Sequence, residues 1–142
     1  GRNCAQSVFC AFCEKYGIDF ETGLRLSSSF GGGMGKLREV CGAVSAMFMI
    51  AGLETGTTDC NDREGKKHNY EVVQMLAEEF KKETGSIICR ELLGLEKNMP
   101  TPAEPELRTA EYYKKRPCAQ LVEDAAKVLE RTLLKEKLEE DI

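Results

Sequence analysis

A single histidine, His68, occurs in the chain, and tryptophan is absent. With one imidazole, Ser-His and Cys-His nucleophile schemes have one candidate base and no visible group to orient it, so hydrolase chemistry has little to stand on. His68 sits beside Lys66 and Lys67, and its simplest reading is a position on a helix surface. No apolar run approaches the ~20 residues of a membrane span. The longest, residues 44–53, is interrupted by Ser45 and Gly52. Positive charge is outnumbered: 20 Lys and Arg face 24 Asp and Glu, for a net charge of −4. No basic stripe interleaves with aromatics, which argues against nucleic acid as a partner. Arg2-Asn3-Cys4 leads directly into an amphipathic segment, without a signal-peptide pattern. The sequence starts at Gly1 rather than Met, which leaves native residues before it, and a removed leader, open.

Cysteine, by contrast, is abundant, with seven among 142 residues. A secreted disulfide scaffold is shorter, loop-rich and even in its cysteine count. A chain of this length is expected to be one domain, residues 1–142, that buries roughly two-thirds of its unfolded surface without needing cross-links. The expectation is therefore a cytoplasmic protein whose thiols stay reduced unless they are catalytic or hold a metal.

The patterning predicts an all-α domain: a bundle of four main helices with short helices beside them. Asn3 is a good N-cap for a helix over residues 4–16, with Val8, Phe9, Phe12 and Tyr16 at helical spacing and Gly17 to end it. Asp19 starts a shorter helix over 20–28, with Leu24 and Leu26 inward. A helix over 38–50, apolar nearly all round and stopped by Gly52, should be central. The segment 55–67 reads as a polar connection. A helix over 64–84 turns Tyr70, Val73, Leu76, Ala77 and Phe80 to one face and ends at Gly85. A short turn over 89–93 ends at Gly94. Pro100, Pro102 and Pro105 mark an exposed linker. Pro117 then opens the last helix, with Leu121, Val122, Ala125, Val128 and Leu129 inward. Residues 135–142 are expected to be a frayed tail.

Four of the cysteines fall where helices begin: Cys4, Cys41, Cys89 and Cys118. Unpaired amides at a helix start carry partial positive charge and favour thiolate over thiol. Cys41 is the sharpest case, with Lys36 and Arg38 before it and little bulk at Gly42 and Ala43. Cys89 precedes Arg90, Cys118 follows Lys114-Lys115-Arg116, and Cys4 follows Arg2. The glycine run 31–35 is not a P-loop, because Phe30 and Leu37 stand where that motif needs Gly and Ser or Thr. It is not a dinucleotide fingerprint either, since Lys36 replaces the third Gly and no strand precedes it. What remains is a tight backbone beside a helix start, whose Gly31, Gly32, Gly33 and Gly35, with Gly42, allow close approach to a sulfur, a cluster or an anion, or a purely steric turn. Cys10 and Cys13 form Cys-x-x-Cys in mid-helix and read as core. Cys60, in a polar loop, reads as incidental. The clusters Glu78-Glu79 with Lys81-Lys82, and Glu123-Asp124 with Lys127, read as solvated helix faces.

These segments together resemble the family of redox-active proteins named for four cysteines and a CGAxxG motif. The likeness rests on Asn3-Cys4-Ala5-Gln6, Phe30-Gly31-Gly32-Gly33-Met34-Gly35, Cys41-Gly42-Ala43-Val44-Ser45, Cys89-Arg90-Glu91-Leu92-Leu93-Gly94 and Cys118-Ala119-Gln120-Leu121-Val122. It covers nearly the whole chain, and departs from the motif at Ala46, where the family has Gly. The resemblance implies that Cys4, Cys41, Cys89 and Cys118 form one set and that Cys10, Cys13 and Cys60 lie outside it.

Three functions follow as expectations. The first is a thiol redox protein in which two of the four cysteines cycle between dithiol and disulfide, with Cys41 attacking and a redox protein as partner. The second is a carrier of an iron–sulfur cluster or another metal, with Cys4, Cys41, Cys89 and Cys118 all as thiolate ligands. The third is a helical interaction module with structural cysteines. The sequence does not choose between enzyme and carrier, and sets no oligomeric state.

Overall fold

The computed structural model describes residues 1–96, 100, 102–107 and 117–135. Among these residues the secondary structure is helical, with one isolated antiparallel bridge between Val40 and Ile88. The helices are α1 (Cys4–Phe12), which runs on as a 3-10 turn (Cys13–Tyr16), α2 (Phe20–Ser27), α3 (Gly42–Thr55), α4 (Arg63–Thr84), the short α5 (Cys89–Leu92) and α6 (Cys118–Arg131). The four main helices are α1, α3, α4 and α6. Of the expected frayed tail, 135–142, all but Lys135 lies outside the described residues.

Local chemistry sets most of these limits. Asn3 and Gln6 form a reciprocal capping box at the start of α1. Asp19 caps α2 through the amide of Thr22, and Asp62 caps α4 through that of Gly65. Gly17 and Gly85 adopt the left-handed conformation that closes a helix. The core then forms around α3. Its Ala43, Val44, Ala46, Met47, Ile50 and Ala51 are all fully buried, and α1, α4 and α6 pack around it.

Four expectations are corrected. The central helix begins at Gly42 rather than near 38, because Arg38 has a φ of +62° and Val40 is extended against Ile88. It also continues through Gly52 and ends at Thr55, where Gly56 turns extended. On α2 the inward residues are Gly23 and Ser27; Leu24 is only half-buried and Leu26 is exposed. On α4 Tyr70 is exposed and Val72 takes the inward place beside Leu76 and Phe80.

The glycine run is neither an open loop nor an ordinary helix. From Gly32 to Lys36 every residue has positive φ: +67°, +72°, +67°, +58° and +65° in order. This is a turn of left-handed backbone. Arg38 returns to that region after Leu37. Such conformations cost about 1–2 kcal/mol for each residue with a Cβ. Here Met34, Lys36 and Arg38 bear that cost. The carbonyls of Gly31, Gly32 and Gly33 accept hydrogen bonds from the amides of Lys36, Arg38 and Glu39 and hold the turn closed.

Candidate functional site

The left-handed turn forms one wall of a cavity of about 470 Å³. Cys4, Cys41, Cys89 and Cys118 all line it, as do Gly31, Gly32, Gly33, Gly35 and Gly42. Each thiol comes from a different helix start: Cys4 and Cys118 are the first residues of α1 and α6, Cys41 is the N-cap of α3, and Cys89 opens α5. The bridge joins two of these starts. The Cys41 amide donates to Ile87 O at 2.8 Å, and the Cys89 amide donates to Glu39 O at 2.6 Å. Cys41 and Cys89 are thus diagonal neighbours on one face of the bridge, an arrangement with Cα atoms typically about 7–8 Å apart.

The glycines are there for space. A Cβ on Gly33 would lie 2.6 Å from Cys89 Cβ, and one on Gly31 would lie 2.3 Å from the Asn3 side chain. A Cβ on Gly42 would meet Phe30 O at 2.8 Å and the Ala5 amide at 3.0 Å. Asn3 therefore does more than cap α1: its side-chain amide also donates to Ser28 O at 3.0 Å and fills the gap opposite Gly31.

The electrostatics of the thiols differ from the helix-start expectation. Cys41 is pushed up to about 11, chiefly by burial. The amides of Ala43 and Val44 pull the other way, as a helix start should, but burial exceeds them; the nearby Cys89 and Cys118 thiols push it further up. The Cys4 thiol is raised far more, first by its hydrogen bond with Cys118, then by burial, then by the charges of Cys118, Cys41 and Cys89. Hence the four sulfurs sense one another, and Cys118 acts most strongly on Cys4. Cys41 is 3% exposed and Cys89 8% exposed, whereas Cys4 and Cys118 are half-buried and more reachable.

The neighbouring cations take other roles than sequence proximity implied. Arg38 points its guanidinium at Cys89, with Nη1 donating to Sγ at 3.7 Å, rather than at Cys41. Lys36 donates to Glu104 O at 2.5 Å from the cavity rim. Arg90 turns to Glu96 O, and Arg2 lies over the Phe20 ring. Lys114, Lys115 and Arg116, expected near Cys118, lie outside the described residues. Nothing in the sequence signalled the Arg38–Cys89 contact, which depends on a chain reversal 51 residues long.

Four converging thiols are the donor chemistry of a metal or iron–sulfur site. In this arrangement, however, no group of three or more His, Cys, Asp or Glu among the described residues stands close enough together to hold a metal ion. Of the remaining cysteines, Cys10 and Cys13 are buried in the core and Cys60 is exposed. His68 is exposed on α4. Lys127 pairs with Glu123 and Lys82 with Glu79, both near solvent. No described helix is long and apolar enough to cross a membrane.

A family model described as "Putative redox-active protein (C_GCAxxG_C_C)" matches residues 2–132. The chain belongs to that family. The described pattern is not reproduced letter for letter, since the chain reads Cys41-Gly42-Ala43 and has Ala46 where the motif closes in Gly. Comparison with curated proteins and with solved structures gave no match.

Proposed function

We propose that this redox-active family member works by thiol–disulfide exchange, with Cys4 and Cys118 as the cycling pair. The reading is supported by the placement of both thiols, the two more reachable of the four, in one cavity, where Cys118 acts on Cys4 more strongly than any other group. A thiol that donates its hydrogen supports negative charge on the accepting sulfur. Cys118 is accordingly the attacking sulfur and Cys4 the resolving one. Cys118 thiolate attacks the S–S bond of a disulfide-bearing substrate or redox partner protein, and one substrate sulfur leaves as a thiol. Cys4 then attacks the mixed disulfide at Cys118, a Cys4–Cys118 bond forms, and the second substrate sulfur leaves. One leaving sulfur takes the Cys4 proton and the other takes, through solvent, the proton Cys118 released on ionising; the substrate is reduced and the pair oxidised.

This shifts the attack from Cys41, which is more deeply buried and holds its proton. Cys41 and Cys89 serve instead as neighbouring thiols that set the charge of the cavity. A dithiol that must be returned to its reduced state suits a reducing compartment such as the cytoplasm.

The test is disulfide mapping after treatment with a small disulfide. A Cys4–Cys118 link that dithiothreitol reverses, and its loss in Cys118→Ser, are expected. Alkylation of both cysteines after oxidation, as in the untreated protein, would refute the assignment. Anaerobic purification with metal analysis addresses the carrier reading. A metal bound at one site per chain, and lost on replacing the four cysteines by serine, would favour four thiolate ligands over exchange.

A further inference from the structure

Outside the cavity, Cys10 and Cys13 meet beneath α2. A Cβ built on Gly23 would lie 2.7 Å from Cys13 Sγ and 3.3 Å from Cys10 Sγ, so the two sulfurs occupy the space a side chain would take there. The backbone places them on one helix face. Positions three apart are neighbours on an α-helix, with Cβ atoms about 5–6 Å apart, a little long for a disulfide, so closing the bond takes a small backbone shift. The regular α-helix ends between them: Phe12 departs to φ −122° and a 3-10 turn begins at Cys13.

We propose that Cys10 and Cys13 form a second redox-active dithiol, separate from the four-thiol cavity, that small hydroperoxides oxidise to a disulfide. Access fixes the oxidant class. Cys10 is 8% exposed and Cys13 fully buried, so an oxidant must be small, and it meets Cys10 first. Burial and the adjacent Cys10 hold the Cys13 thiol above its ordinary range, which suits a resolving group that keeps its proton until the second step. In the first step Cys10 thiolate attacks a peroxide oxygen; the O–O bond breaks, an S–O bond forms, and the leaving alkoxide or hydroxide takes a proton. In the second, Cys13 sulfur attacks the sulfenic acid, the S–S bond forms, and water leaves with the Cys13 proton. One hydroperoxide is reduced to an alcohol or water, and two thiols become one disulfide.

The test uses the full chain as Cys4→Ser, treated with hydrogen peroxide, unfolded, alkylated and digested with trypsin. The peptide from Asn3 to Lys15 then holds two cysteines. It is expected to lose two hydrogens, to refuse the alkylating label, and to recover both labels after dithiothreitol. Oxidised glutathione is expected to act at least ~10-fold more slowly, as poor access to a buried thiol requires. Full labelling of both cysteines after peroxide overturns the proposal, as does Cys10 passing to sulfinic acid while Cys13 stays free, or equal rates with the two oxidants. If Cys4→Ser fails to fold, fragmentation of the same peptide from the unaltered chain separates Cys4 from Cys10 and Cys13 and gives the same reading. Because the variant lacks the Cys4–Cys118 pair, the outcome is independent of the exchange proposed for that pair.

Discussion

Gly33 and Gly23 solve the same problem in two regions of the molecule, and by different means. Each makes room for a cysteine: Gly33 for Cys89 at the cavity wall, Gly23 for Cys10 and Cys13 beneath α2. Gly23 lies within a regular helix, so space alone is at stake there. Gly33 lies in the left-handed turn at φ +72°, so both space and backbone conformation depend on it. The difference follows from how each thiol group is assembled. Cys10 and Cys13 are brought together by one helix, and the partner helix need only omit a side chain. The cavity thiols come from four helix starts, and the chain between Phe30 and Cys41 must reverse tightly to let them converge.

The sharpest way to break this contrast is to give each glycine a methyl group. Gly33→Ala adds left-handed strain to contacts at 2.6 Å from Cys89 Cβ and 2.9 Å from Arg38 Cα. It is expected to cost ~3 kcal/mol or more in urea unfolding. An effect as small as that of Gly23→Ala would show that the turn is free to rearrange and does not hold the cavity wall.

Next in size is the pH dependence that distinguishes the buried cavity thiol. Cys41 rises from 9.0 to about 11 on folding. A proton held more tightly in the folded state contributes stability that is complete below the unfolded value and is lost as pH rises through the folded one. Stability should therefore fall between about pH 9 and 11 by up to ~3 kcal/mol, a part that Cys41→Ser removes. Superimposable pH profiles for the two proteins would exclude a buried, protonated Cys41.

Gly23→Ala should be milder. Overpacking against Cys13 Sγ costs about 1–3 kcal/mol, and the gain in helix propensity returns roughly 1. A net loss of ~1 kcal/mol is expected, with Cys10–Cys13 oxidation by peroxide slowed while Cys4–Cys118 mapping is unchanged. The smallest effect belongs to Lys36→Gly, which relieves a side chain at φ +65°. Less strain against more unfolded-state freedom leaves a gain of ~0.5 kcal/mol by thermal unfolding. A loss instead would mean that the Lys36–Glu104 contact at the cavity rim outweighs the strain.

Helix starts were legible because their chemistry is local. Asn3, Asp19 and Pro117, with Gly17 and Gly85 at the far ends, act within one turn of where they stand, and the structure uses each of them. The placement of the four cysteines at helix starts was readable for the same reason. The thiolate bias expected there was not, because burial is a property of the surrounding helices and at Cys41 it exceeds the pull of the Ala43 and Val44 amides. Cys10 and Cys13 were correctly read as core, yet their contact with each other under Gly23 depends on how α2 lies across α1.

By itself, then, the amino-acid sequence determined the helical class, the caps, the central apolar helix and the family, all of which rest on patterns a few residues long or on the order of motifs along the chain. Only the tertiary structure decided that Cys4 and Cys118 share one cavity, that Arg38 serves Cys89, and that five consecutive residues turn left-handed. Those outcomes depend on which helix starts meet in space. Packing of α1, α3 and α6 sets that meeting, and no local preference encodes it.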